Sequence, residues 1–249
     1  MLIIILSLGC LLSCGLEEFY FLDAIPDGYV TYIDTTGTNI RLSSGSSSFE
    51  NFVIFYRIYI SETNISGQIL TAEQRTSINP ALNSDFNAIF PWTDKTSTTV
   101  NTANLENSFL ARRYYQLTLQ GSSINGVLDT SSLGRRLEIR FTTQAGESPF
   151  LLFDDITPHY LLQRANSAPG MNFRPLPEDR LFFSHADLRN SNNATAEINA
   201  DVASHSSVNP LYAYVSMYIA ATGRTLDLPP RTIFSQPTFI GIFRLTENP

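Results

Sequence analysis

The sequence predicts an all-β fold, an antiparallel β-sandwich, on three observations. Aromatic residues make up 12% of the 249, chiefly Phe and Tyr, while methionine is scarce. Rings and β-branched side chains pack well on a pleated surface. Segments such as Arg136-Leu137-Glu138-Ile139-Arg140-Phe141 alternate with the period of two that a half-buried strand requires. An apolar period of 3.6 is nowhere sustained.

The chain opens on an apolar run, Met1 to Ser13, that stops at Cys14. Leu2 to Leu12 is too short to span a bilayer as a helix, which takes about 20 residues. It suits the apolar stretch of an export signal. Leu11-Leu12-Ser13-Cys14 resembles the lipobox of bacterial, spirochaetal-type lipoproteins: a bulky aliphatic residue at minus three, a small one at minus one, then the cysteine. The resemblance covers the first fifteen residues, and it departs from the pattern in having no Lys or Arg before the run. It implies a signal peptide over residues 1–13, acylation at Cys14 and a lipidated stalk over residues 14–27. Cys10, behind Ser7-Leu8-Gly9, is the competing site. The chain would then be lipid-anchored at a cell or outer membrane, facing periplasm or exterior. One acyl chain alone holds only marginally, whereas the several chains of a lipoprotein cysteine hold stably.

Strand signals follow in order. Tyr29 to Ile33 and Asn39 to Leu42 flank Thr36-Gly37, a hairpin turn. Phe52 to Ile60 is apolar on both faces, which marks a central strand covered on each side. Residues 61–106 are rich in Ser, Thr and Asn and read as a loop excursion or irregular strands, with one helical turn at Thr71 to Ser77 and a short edge strand at Ala88 to Trp92, stopped by Pro91. Tyr114 to Leu119 alternates as one half-buried strand, and Asn125-Gly126 is a hairpin candidate. Ala145 to Pro149 breaks the chain. Phe150 to Phe153, Tyr160 to Leu162, Leu181 to Phe183, Tyr212 to Ile219 and Phe239 to Leu245 complete the strands. Residues 28–145 and 146–249 are either halves of one sandwich or two tandem immunoglobulin- or fibronectin-like sandwiches. The triplets Ile58-Tyr59-Ile60 and Met217-Tyr218-Ile219 suggest the tandem form.

Composition excludes several functions. Net charge is −7 with a single lysine, Lys95, so there is no basic stripe for nucleic acid and little attraction to anionic lipid. Both cysteines, Cys10 and Cys14, lie in the leader region, which leaves no disulfide framework and no cysteine zinc site. No cofactor or metal is expected. His159, His185 and His205 lack close metal-ligand spacing, and Ser184-His185-Ala186-Asp187 is too local for a triad, whose members come from separate loops.

Two constellations remain as ligand-site candidates. Asp154 and Asp155 with His159 have the chemistry for acid–base work or a hard cation, provided a turn brings the adjacent carboxylates to one side. Tyr212, Tyr214 and Tyr218 share a strand face with Ser216, and such an aromatic stripe either stacks on a ligand or covers a second packed face. The chain thus reads as an envelope lipoprotein that binds an unknown protein or glycan and does not catalyse. The alternatives are an exported hydrolase of glycan or peptide, with acids among Asp154, Asp155, Glu178 and Asp179, and a structural envelope subunit.

Overall fold

Two long strands from opposite halves of the chain organise the molecule. In a computed structural model that describes residues 22–34, 36–45, 48–93, 105–141, 149–165, 183, 201–203, 212–225 and 229–245, β3 (Phe49–Ser61) pairs antiparallel with β9 (Tyr212–Arg224) along almost its whole length. Both are apolar on two faces, and the pleat sends alternate side chains to opposite sides. Ile54, Tyr56 and Ile58 of β3, with Val215, Met217 and Ile219 of β9, enter the main core. Val53 and Phe55, with Tyr218 and Ala220, enter a second cluster behind them.

The main core lies between two antiparallel sheets. Sheet 1 has the order β1-β2-β6-β7-β8-β5, built from β1 (Val30–Tyr32), β2 (Gly37–Arg41), β6 (Arg136–Arg140), β7 (Phe150–Phe153), β8 (Ile156–Gln163) and β5 (Thr118–Leu119). Sheet 2 has the order β10-β9-β3-β4, from β10 (Thr232–Phe234), β9, β3 and β4 (Tyr115–Gln116), and β11 (Thr238–Leu245) pairs with β9 beside β10. Leu137, Ile139, Leu151 and Phe153 of sheet 1 face the core as their alternation predicts. The fold is therefore the expected all-β sandwich.

The back of sheet 2 is covered by helices, of which the sequence showed only the turn at Thr71 to Ser77. These are α1 (Ala72–Ile78), α2 (Pro80–Thr93) and α3 (Leu105–Ala111); a fourth short helix, α4 (Ile124–Val127), packs against β3. A capping box starts α1, with Thr71 Oγ1 accepting from Gln74 N at 3.3 Å and Gln74 Oε1 accepting from Thr71 N at 2.8 Å. Pro80 opens α2 where a missing N–H costs nothing. Leu82, Asp85 and Ile89 form its buried stripe. Ala88 to Trp92 is thus the last turns of a helix and not an edge strand. Pro91 is tolerated there because only one hydrogen bond, near the helix end, is forfeited.

Other expectations are corrected by pairing. The halves 28–145 and 146–249 share both sheets and one core, so the tandem-sandwich alternative does not describe the fold. The two Tyr-centred triplets belong to the paired central strands β3 and β9; their likeness reflects common two-sided burial, not a repeated domain. Tyr114 to Leu119 is not one strand: β4 pairs with β3 in sheet 2 and β5 with β8 in sheet 1, so the segment crosses between the sheets. Asn125-Gly126 lies inside α4. The two-residue turn is instead Asp154-Asp155 between β7 and β8, with φ of 52° and 59°, the positive pair that a tight hairpin demands. The predicted hairpin between β1 and β2 does form, but its turn ends at Thr36, fixed by Asp34 Oδ1 accepting from Thr36 N at 2.7 Å, and Gly37 already belongs to β2 opposite Ile33.

The stalk also ends earlier than residue 27. Leu22 and Ile25 are buried in the main core, and Thr238 Oγ1 donates to Ile25 O at 2.5 Å. Of the strand expected at Leu181 to Phe183, only Phe183 is among the described residues; it packs edge-on to Tyr56. Cys10, Cys14, Glu178, Asp179, His185 and His205 lie outside the described residues.

Candidate functional site

The acidic candidates form the tip of a hairpin. Asp154 accepts from Arg136 N and from Arg135 Nε, both at 2.9 Å, and Asp155 pairs with the Arg136 guanidinium. The Arg136 backbone N–H and then Arg135 hold the Asp154 carboxyl below its usual pKa. His159 stacks flat on Phe150, with ring centroids 4.5 Å apart, and sits on the strand beyond the turn. The turn does unite the two carboxylates, but their partners are arginines that fasten β6 to the hairpin.

The tyrosine stripe divides. Tyr214 is 1% exposed, and its hydroxyl donates to Thr63 O at 2.6 Å and accepts from Ile65 N at 2.8 Å. It is a packed residue that anchors the loop before α1, and the ligand role does not suit it. Tyr212 is half-buried beneath the Arg244 guanidinium. Tyr218 is equally buried by area, yet its ring forms part of a cleft wall.

Two buried polar clusters brace β3 on its two faces. On the core side, Arg164 and Asp201, both 0% exposed, make a bidentate pair at 2.8 and 2.5 Å. Tyr56 Oη donates to Asp201 Oδ2 at 2.8 Å and accepts from Ala165 N at 2.7 Å. On the helical side, Arg57 Nη1 and Tyr59 Oη donate to Asp85 Oδ2 at 2.5 and 2.8 Å. Tyr114 Oη lies 3.0 Å from Tyr59 Oη and 3.2 Å from Ser216 Oγ. Burial pushes the Tyr114 phenol up to about 12. Both clusters pin chain segments to the sheet.

The cleft lies where β1 of sheet 1, the edge of sheet 2 and α2 meet, and encloses about 370 Å³. Tyr32 comes from β1, Phe86 and Phe90 from α2, Tyr218 from β9, Phe239 from β11, and Ile69 from the loop before α1. Phe86 meets Phe239 edge-on at 5.4 Å and stacks on Phe90 at 5.9 Å. The Arg75 guanidinium, 3.9 Å from the Phe86 ring centroid, fixes that ring from behind, itself held by Asn83 Oδ1 at 3.1 Å. Gly241 makes room for Tyr32. It sits at a bulge with φ of 150°, and a Cβ there would come within 3.3 Å of Tyr32 Cε1. Ile69 and Phe90 are 72% and 58% exposed at the rim.

Asp27 lines the cleft, and burial, with the Asp27 charge adding to it, raises the Tyr32 phenol pKa. Among the described residues the buried Tyr218 hydroxyl has no hydrogen-bond partner. A second cavity of about 310 Å³, between α3, the β4–β5 crossing and α4, is lined more by Gln116, Ser122 and Asn125.

Of the predicted site residues that are described, Tyr218 alone reaches the aromatic cleft. Phe86 and Phe90, spaced i and i+4, were the available signal, hidden because Ser, Asn and Asp surround them. No protein-family model matches the chain, and no curated protein or solved structure matches it.

Proposed function

We propose that the chain is an exported lipoprotein, anchored through Cys14 at the cell envelope, whose sandwich binds an apolar or aromatic group in the Tyr32–Phe90–Tyr218 cleft without chemistry. The cleft carries this reading. Its volume falls in the range of ligand sites, about 300–1,000 Å³, and its walls are predominantly aromatic, as such sites are. A dry cavity of about 150 Å³ takes benzene, so this one has room for a larger ring system or side chain. Exposed Ile69 and Phe90 extend the apolar surface out of the cleft. A hydrolytic reading has less support, since Asp154 and Asp155 are engaged with arginines on a surface hairpin. The anchoring half rests on the Leu11-Leu12-Ser13-Cys14 resemblance, and the burial of Leu22 shortens the tether to seven residues, 15–21. Fully extended, these reach about 25 Å, which keeps the domain beside its membrane.

Titration of the full chain with the neutral fluorophore N-phenyl-1-naphthylamine tests the binding half. Saturable binding that weakens at least tenfold in Ile69→Ser/Phe90→Ser is expected. Equal binding by that variant would refute the cleft as the site. Labelled palmitate tests the anchor: Cys14→Ala should lose both the label and membrane association, and an unchanged label would move acylation to Cys10.

A further inference from the structure

The cleft adjoins a sheet edge that no other strand pairs with among the described residues. Strand β1 ends sheet 1, with Val30 opposite Ile40, Thr31 opposite Asn39 and Tyr32 opposite Thr38. Ile33 N donates to Gly37 O at 3.0 Å. Hydrogen-bonded pairs alternate along an antiparallel ladder, so Thr31 and Asn39 form the next one. The N–H and C=O of Tyr32 and the C=O of Val30 therefore point away from the sheet. The Val30 N–H is turned back to Asp27 O.

Natural edges are blunted by shortness, charge, proline or a bulge. β1 is short, but Tyr29-Val30-Thr31-Tyr32-Ile33 carries no charge, proline or bulge, and it exposes Tyr29 and Ile33 at 37% each. On the other face of the strand, Val30 and Tyr32 line the cleft.

We propose that a partner protein adds an extended peptide to the edge of β1 as a further antiparallel strand, with one apolar side chain inserted into the cleft. This rests on the cleft being a ligand site and names its ligand class. Residues directly opposite across a ladder project to the same face, about 4.5–5.5 Å apart. The incoming residue opposite Tyr32 is thus aimed between Tyr32, Phe90 and Phe239. Its neighbours fall on the outer face, against Thr31 and Ile33. Backbone bonds to Tyr32 supply affinity, and the cleft selects a large apolar residue at one alternate position, the division of labour of strand addition.

The probe is a capped seven-residue peptide of alternating threonine and valine with a central phenylalanine, fluorescently labelled and titrated into the full chain. Its twin is N-methylated at the central amide, which keeps every side chain and removes the bond to Tyr32 C=O. The expected result is saturable binding, at least tenfold weaker for the twin, for the central alanine peptide and for Ile69→Ser/Phe90→Ser. Equal binding of parent and twin would overturn strand addition while leaving the cleft a site for apolar groups. Failure of the peptide with retained binding of N-phenyl-1-naphthylamine would do the same, and failure of both probes would overturn the cleft reading as well. A dimer in sedimentation that competes with the peptide would assign the edge to a second copy and overturn the partner assignment.

Discussion

Tyr214 and Tyr218 stand four residues apart on one strand face, yet the helices behind sheet 2 give them different tasks. The alternation that put both on that face was legible in the sequence. Which ring is sealed and which meets a cleft depends on α1 and α2, whose positions no local pattern specifies. Tyr214→Phe should cost about 1 kcal/mol, the worth of a hydrogen bond whose partner, Ile65 N, is left near the surface. Tyr214→Ala should cost about 3–5 kcal/mol, as for other buried rings. Urea denaturation reads both, and a near-neutral alanine variant would show that the ring is not packed. Asp201→Ala strands the Arg164 charge in the core and should cost about 3–5 kcal/mol. Arg164→Met/Asp201→Leu should recover much of that loss in the same measurement, because no charge is left behind.

At the scale of elements, strands were more legible than helices. β6, β7, β9 and β11 follow from alternation or from apolar runs bounded by turn residues. The helix α2 was hidden because its buried stripe of Leu82, Asp85 and Ile89 includes a carboxylate, paired with Arg57, in place of a third apolar residue. The split of Tyr114 to Leu119 between sheets was invisible because pairing partners, not periodicity, decide it. Ile58 lies on the core side of β3, fully buried, so Ile58→Ala should lower stability by about 2–5 kcal/mol in urea denaturation. The β7–β8 turn makes a pH-dependent contribution. Asp154 has a folded pKa below its unfolded value, so its stabilisation is present above about pH 4 and is lost as pH falls through the folded value. Asp154→Asn should therefore lower the urea midpoint slightly at pH 7, and by less as the pH is lowered. A difference that grows on acidification would contradict this sign.

Across the whole molecule, the β-sandwich was predicted, but of the helical layer only the turn at Thr71 to Ser77 was. Local patterns reveal which faces are apolar; they do not reveal what covers them. β3 is apolar on both faces because a second sheet lies on one side and helices on the other. That second cover creates the proposed binding surface, since α2 supplies Phe86 and Phe90 to a cleft whose floor and far wall are strands. The central claim is that this cleft, and not the cavity beside α4, receives the ligand. Methyl NMR of the full chain during titration with N-phenyl-1-naphthylamine tests it most directly. Resonances of Val30 and Ile69 should shift progressively with probe, while those of Leu110, Leu117 and Ile124 stay fixed. Shifts confined to Leu110, Leu117 and Ile124, with Val30 and Ile69 unmoved, would contradict the account.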